Sequence, residues 1–161
     1  MKQLSVFNNL EKHSHWNLYI DGASRNNPGE SGVGIFILKN DKKFLEHSFY
    51  LGIKTNNQAE YLALLLGLTL LKSYLNPEDR IEIISDSELL IKQINGQYAV
   101  KNHELKKLYQ DVKHLLLNLN YKAIHVLRQN NKVADKLANK AIDEKIPATI
   151  ELKNMWCKYE I

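Results

Sequence analysis

Between residues 16 and 51 the apolar residues fall into three short runs: WNLYIDG (16–22), GVGIFILK (32–39) and KFLEHSFYL (43–51). The breaks between them are a Gly/Asn/Pro turn and the tight stretch Asn40-Asp41-Lys42. Neither break has room for a crossover helix, so the three runs predict strands in an antiparallel meander. Past residue 54 the hydrophobic period changes. Thr55 or Asn56 can cap a helix reaching about Tyr74, with apolar residues at 59, 62, 63, 66 and 70 and Glu60 in its early turns. Leucines on its other faces predict burial on more than one side. Asn76-Pro77 ends it.

The remaining elements follow in order. RIEIIS (80–85) is a short strand closed by Asp86, and SELLIKQI is a brief helix stopped at Asn95-Gly96. Residues 103–119 carry apolar positions 105, 108, 112, 115, 116 and 119, an amphipathic helix. YKAIHVL (121–127) is the last strand. A last helix runs from about 131 to 145, with a stripe at 133, 134, 137, 138, 141 and 142. The order is β-β-β-α-β-α-α-β-α. Strands separated by helices have the spacing of parallel crossovers. The expected fold is α/β, a mixed five-stranded sheet with helices on both faces. The expected organisation is an N-terminal extension (1–15), one domain (16–145) and a C-terminal tail (146–161) anchored by Trp156 and Tyr159.

Such a chain of 161 residues can bury a sizeable core without staples. Cys157 is the sole cysteine, so an internal disulfide is impossible, and a reducing, cytoplasmic location is expected. No apolar run has membrane-spanning length, and the N-terminus lacks a signal peptide's apolar stretch, so no membrane association is expected. Charge is unevenly placed. Residues 1–100 hold ten basic against eleven acidic residues, and residues 101–145 hold ten against five. The basic half suggests a polyanionic partner; a solvated, lysine-rich helix surface is the ordinary alternative.

Four acids stand out. Asp21 ends or interrupts the first strand, and Asp86 ends the fourth. Glu60 lies early in a mostly apolar helix, and Asp135 flanks the stripe of the last helix. In α/β folds, ligands bind at strand ends near the sheet centre. Carboxylates half-buried there are costly unless compensated, and a divalent cation is one compensator. Each acid also has an ordinary reading. Asp86 could be an N-cap, Glu60 could balance the helix dipole, Asp135 could be solvated, and Asp21 could organise the next turn. Periodicity alone leaves both readings open.

Four segments, DGASRNNPG (21–29), TNNQAEYLALLLGL (55–68), SDSELLIKQINGQY (85–98) and NNKVADKLANKA (130–141), resemble in order and spacing the four blocks of type 1 ribonuclease H. The resemblance covers about residues 16–145. It implies the ribonuclease H-like fold, with strand order 3-2-1-4-5. It also implies an endonuclease that hydrolyses the RNA strand of RNA/DNA hybrids with two Mg2+ ions, or Mn2+ in their place, leaving 5′-phosphate and 3′-hydroxyl ends. By motif position it makes Asp21, Glu60, Asp86 and Asp135 the catalytic, metal-binding acids, with Asp21 bridging the ions. Backbone groups of Gly22, Ala23 and Ser24, with the Asn27 side chain, would face the RNA minor groove. The small residues after Asp21 would let the nucleic acid approach closely. Asn56 and Asn57 would contact 2′-hydroxyls. Thr55 and Asn102 would hold a phosphate of the DNA strand. For these residues the ordinary alternative is turn and cap chemistry.

The resemblance is imperfect. The loop RQNNKVAD (128–135) lacks the histidine of well-studied bacterial members and reads as an R-x-x-N-x-x-A-D form, in which Arg128 can contact substrate phosphate. His125 and His103 are not expected to be catalytic. NGQYAVKNHEL is too short for the basic protrusion of some members, a role that Lys101, Lys106, Lys107 and Lys113 could fill. Three functions follow: a monomeric hybrid-specific nuclease, the same chemistry extended to double-stranded RNA, or a non-catalytic hybrid-binding module. Retention of all four acids favours the first.

Overall fold

The computed structural model describes residues 13–159. The expected N-terminal extension therefore lies almost wholly outside the described residues. Strands β1 (His15–Arg25), β2 (Gly29–Lys39) and β3 (Lys42–Lys54) form the meander. Asn40 and Asp41 both take positive φ, the conformation a two-residue hairpin turn requires. Then come α1 (Asn56–Lys72), β4 (Arg80–Ser85), α2 (Glu88–Ile94), α3 (His103–Leu116), β5 (Asn120–His125), a single 3-10 turn (Arg128–Asn130), α4 (Lys132–Glu144) and α5 (Ile150–Trp156). The sheet order is β3-β2-β1-β4-β5, with β4 and β5 parallel to β1. Element order, strand directions and sheet order are those expected. The tail differs in containing a helix, α5, which seven residues without a clear apolar stripe did not reveal.

Strand alternation divides the sheet into two faces. Leu18 and Ile20 of β1, with their β2 partners Ile37 and Ile35, are fully buried. Gly67 of α1 lies against Leu18 and Ile20, so α1 covers this face. The helix is buried on several sides, because α3 packs on it from outside through Leu105, Leu108, Val112 and Leu116. The opposite face belongs to α4. A Cβ on Gly34 would overlap the backbone of Ala134 and Ala138, and one on Gly32 would crowd Ala138 and Ala141. The two glycines let α4 lie almost on the backbone of β2. Of the expected α4 stripe, Ala134, Ala138, Ala141 and Ile142 are buried, whereas Val133 is exposed. With bare glycines as its counterpart, the helix seats three alanines and Ile142 in its seam.

The tail is tied down at several points. Trp156 and Tyr159 are buried against the main core. The Tyr159 hydroxyl donates to Asp111 of α3, and its carbonyl accepts from the Lys54 ammonium at the end of β3. No helix among the described residues is long and apolar enough to cross a membrane.

Candidate active site

The parallel pairing of β1 with β4 sets Tyr19 beside Ile84 and stops there. Carried on at the same offset, that register places Asp21 beside Asp86, the first residue after β4. Asp21 does not end β1, as the sequence suggested. The strand continues to Arg25 through its antiparallel pairing with β2, in which Asp21 faces Gly34. What stops at Asp21 is the neighbour on the β4 side. The carboxylate thus lies in a notch where two parallel strands part, a position that α/β folds give to ligands. Asp86 is not an N-cap: the Ser87 hydroxyl accepts from Leu90 N and caps α2.

Glu60 arrives from α1. The Thr55 hydroxyl and the Gln58 side chain form a reciprocal capping box, which fixes where the helix begins. Glu60 is the fifth helical residue, beyond the first turn, where the dipole acts most strongly. Its Oε2 accepts a hydrogen bond of 3.1 Å from Gly22 N. Gly22 permits this closeness, since a Cβ there would overlap the backbone of Ala59 and Glu60. The small residue after Asp21 therefore serves the approach of α1, a reason the sequence reading did not supply.

Asp21, Glu60 and Asp86 each offer a carboxylate oxygen within 4.8 Å of the others. Asp21 is 5% exposed and the other two are partly buried. Burial, and next the charges of Asp86 and Asp135, push the Asp21 carboxyl up to about 8. Glu60 is raised well above the usual carboxylate range by burial and by Asp21 and Asp86, partly offset by the Gly22 N–H. Three acids that repel one another are a poor structural solution and a good cation site. All the donors are hard oxygens, the set that suits Mg2+ and Mn2+ rather than softer metals.

Asp135, in the first turn of α4, stands apart from that trio but opens on the same cleft, a cavity of about 330 Å³. Its Oδ1 accepts from Arg128 at 3.2 Å, and Asn139 reaches the same atom at 3.4 Å. Arg128 itself is 76% exposed. Gly22, Ala23, Ser24 and Asn56 also line the cleft.

Several of the other residues named from the sequence have structural tasks. Ser24 donates to the carbonyls of Asn26 and Lys54, and Asn27 accepts from Asn56 N. Thr55 caps α1, and Asn102 caps α3 by accepting from Glu104 N and Leu105 N. Asn57 is exposed in the first turn of α1. His125 and His103 are exposed at the end of β5 and the start of α3. Of the lysines, Lys101 and Lys106 are exposed, Lys107 pairs with Asp111, and Lys113 reaches the Ile94 carbonyl. Asn131, to which the sequence alone assigns no task, is buried and donates to Asp86. Its place in the R-x-x-N-x-x-A-D spacing was the available signal.

A family model described as "Reverse transcriptase-like" matches residues 19–141. The ribonuclease HI of Halobacterium salinarum is 37% identical over 128 residues, covering 78% of this chain and 63% of that protein. A ribonuclease H of Pseudomonas putida is 30% identical over 144 residues, 79% of this chain and 93% of the relative. The chain spans only 34% of a matching bifunctional protein of Mycobacterium tuberculosis. Among solved structures, RNase H1 of Halobacterium salinarum superposes with a TM-score of 0.76 at 35% identity, covering 81% of this chain and 98% of that one. LC11-RNase H1, solved in complex with an RNA/DNA hybrid, gives 0.77 at 35% identity with the same coverage.

Proposed function

This chain belongs to the type 1 ribonuclease H family, and from that premise we propose that it is a metal-dependent endonuclease hydrolysing the RNA strand of RNA/DNA hybrids. The observation that carries the proposal is the convergence of Asp21, Glu60 and Asp86 within 4.8 Å in an open cleft. These three would hold divalent cations, Mg2+ or Mn2+, with Asp135 as a fourth ligand at the rim. When bound, such ions supply an activated water near neutral pH and charge stabilisation on both sides of the scissile phosphate.

The chain's own residues do the rest. The register of β1 on β4 brings Asp21 and Asp86 to neighbouring positions, and the Gly22 N–H holds Glu60 against them. Arg128 presents a guanidinium at the cleft mouth, suited to a backbone phosphate. Ser24 and Asn56, on the cleft wall, with Asn27, which accepts from Asn56 N, and Asn57, the next residue along, would offer polar groups to a minor groove, in which 2′-hydroxyls distinguish RNA from DNA. Thr55 and Asn102 would contribute hydroxyl and amide contacts to the DNA strand. The LC11 relative, bound to a hybrid, supports this class of partner.

The test is cleavage of a labelled RNA/DNA hybrid beside matched RNA/RNA and DNA/DNA duplexes, in Mg2+ or Mn2+, by wild type and Asp86→Asn. The expected result is cutting of the hybrid's RNA strand only, abolished in the variant. Cutting of RNA/RNA would widen the substrate class. Binding of hybrid with no cutting in either metal would make the chain a binding module.

A further inference from the structure

We infer that Asn131 is a positioning residue of this centre: its side-chain amide holds the Asp86 carboxylate in register with Asp21, and so sets how tightly the acids take up a divalent cation. The inference rests on the metal-dependent reading above. Asn131 is 2% exposed, and its Nδ2 donates to the Ile20 carbonyl at 2.9 Å and to Asp86 Oδ1 at 3.0 Å. Ile20 immediately precedes Asp21. One amide group therefore ties the backbone beside the first acid to the side chain of the third.

Two further observations separate this task from ordinary helix building. Asn131 stands at the N-cap of α4, where an asparagine side chain ordinarily accepts from its own helix, yet it makes no such bond. Its Oδ1 is buried and accepts from nothing among the described residues. Turning the amide over would set that oxygen against two other oxygens, so the orientation is fixed by the need to donate twice. Seating α4 on the sheet would require only the bond to Ile20. The bond to Asp86 restrains a carboxylate that lies just past the last residue of β4, where the ladder no longer holds it. The Asn131 carbonyl also accepts from Asp135 N, so the same residue begins the turn that carries the fourth acid. Hydrogen-bond partners behind metal ligands orient them, and their loss typically weakens metal binding by about 10–100-fold.

The experiment titrates Mn2+ alone into the full chain by calorimetry, for wild type, Asn131→Ala, Asn131→Ser and Ala141→Gly. The first two remove or shorten the donor. The last loosens a buried position near the other end of α4 that does not line the acid cleft. Thermal unfolding and hybrid kinetics accompany each titration. Mn2+ affinity is expected to fall about tenfold or more in Asn131→Ala, less in Asn131→Ser, and not at all in Ala141→Gly. In the Asn131 variants kcat should fall while KM for hybrid is unchanged. Should Asn131→Ala fail to fold, the serine variant, which can still donate once, carries the test. Wild-type Mn2+ affinity in every folded Asn131 variant overturns the inference, as does an equal loss in Ala141→Gly. Wild type that neither binds Mn2+ nor cuts hybrid overturns the underlying reading instead, and the inference with it.

Discussion

Asp21 shows how one residue can work against the fold that carries it. Burial and neighbouring acids hold its carboxyl near pH 8, whereas the unfolded chain releases that proton near 4. Between those values the folded state binds more protons than the unfolded state. The contribution of Asp21 to stability therefore falls as pH rises through this window and is least favourable above pH 8. Asp21→Asn removes the effect. In chelator at pH 8 the variant should melt about 5 °C above wild type, a shift that ~2 kcal/mol gives a chain of this length. Its advantage should shrink as pH falls and vanish only near pH 4, where the unfolded chain binds the same proton. Melting curves across that pH range check both statements. A variant less stable than wild type at pH 8 would show that Asp21 is not held at such a cost.

At the scale of elements, two close approaches set the position of the acids. Gly22 lets α1 bring in Glu60, and Gly34 lets α4 bring in Asn131 and Asp135. Gly34→Ala should push α4 off β2, costing about 1–3 kcal/mol by overpacking. Activity should fall with it even below the melting transition, because the displaced helix carries two groups of the site. Urea unfolding and low-temperature cleavage, measured together, test this. The tail gives the opposite expectation. Trp156 is 3% exposed in the main core but does not line the acid cleft. Trp156→Ala should cost about 3 kcal/mol, yet leave hybrid cleavage well below its melting temperature within about twofold. A large kcat loss in that folded variant would tie the tail to the site.

For the molecule as a whole, clustered acids make stability depend on cation. A ligand that binds only the folded state at about one hundred times its Kd adds ~2.7 kcal/mol. Saturating Mg2+ should therefore raise the melting temperature of wild type by about 5–10 °C and do much less for Asp86→Asn. Equal shifts in both proteins would place the cation elsewhere. Much of this molecule was legible without coordinates. Hydrophobic period and turn residues determined the element order and the meander, and connection lengths determined which strands run parallel. The four blocks pointed to the acids before any distance was known. These are local properties, written within a dozen residues. What only the tertiary structure decided is pairwise and distant. It put Asp21 in mid-strand, where β4 ends beside it, and it assigned Gly22 and Gly34 to helix approach. It also tied Asn131 to partners 111 and 45 positions away. Register and backbone contact arise only when two separate segments pack, so a local pattern can name the acids but not say what holds them together.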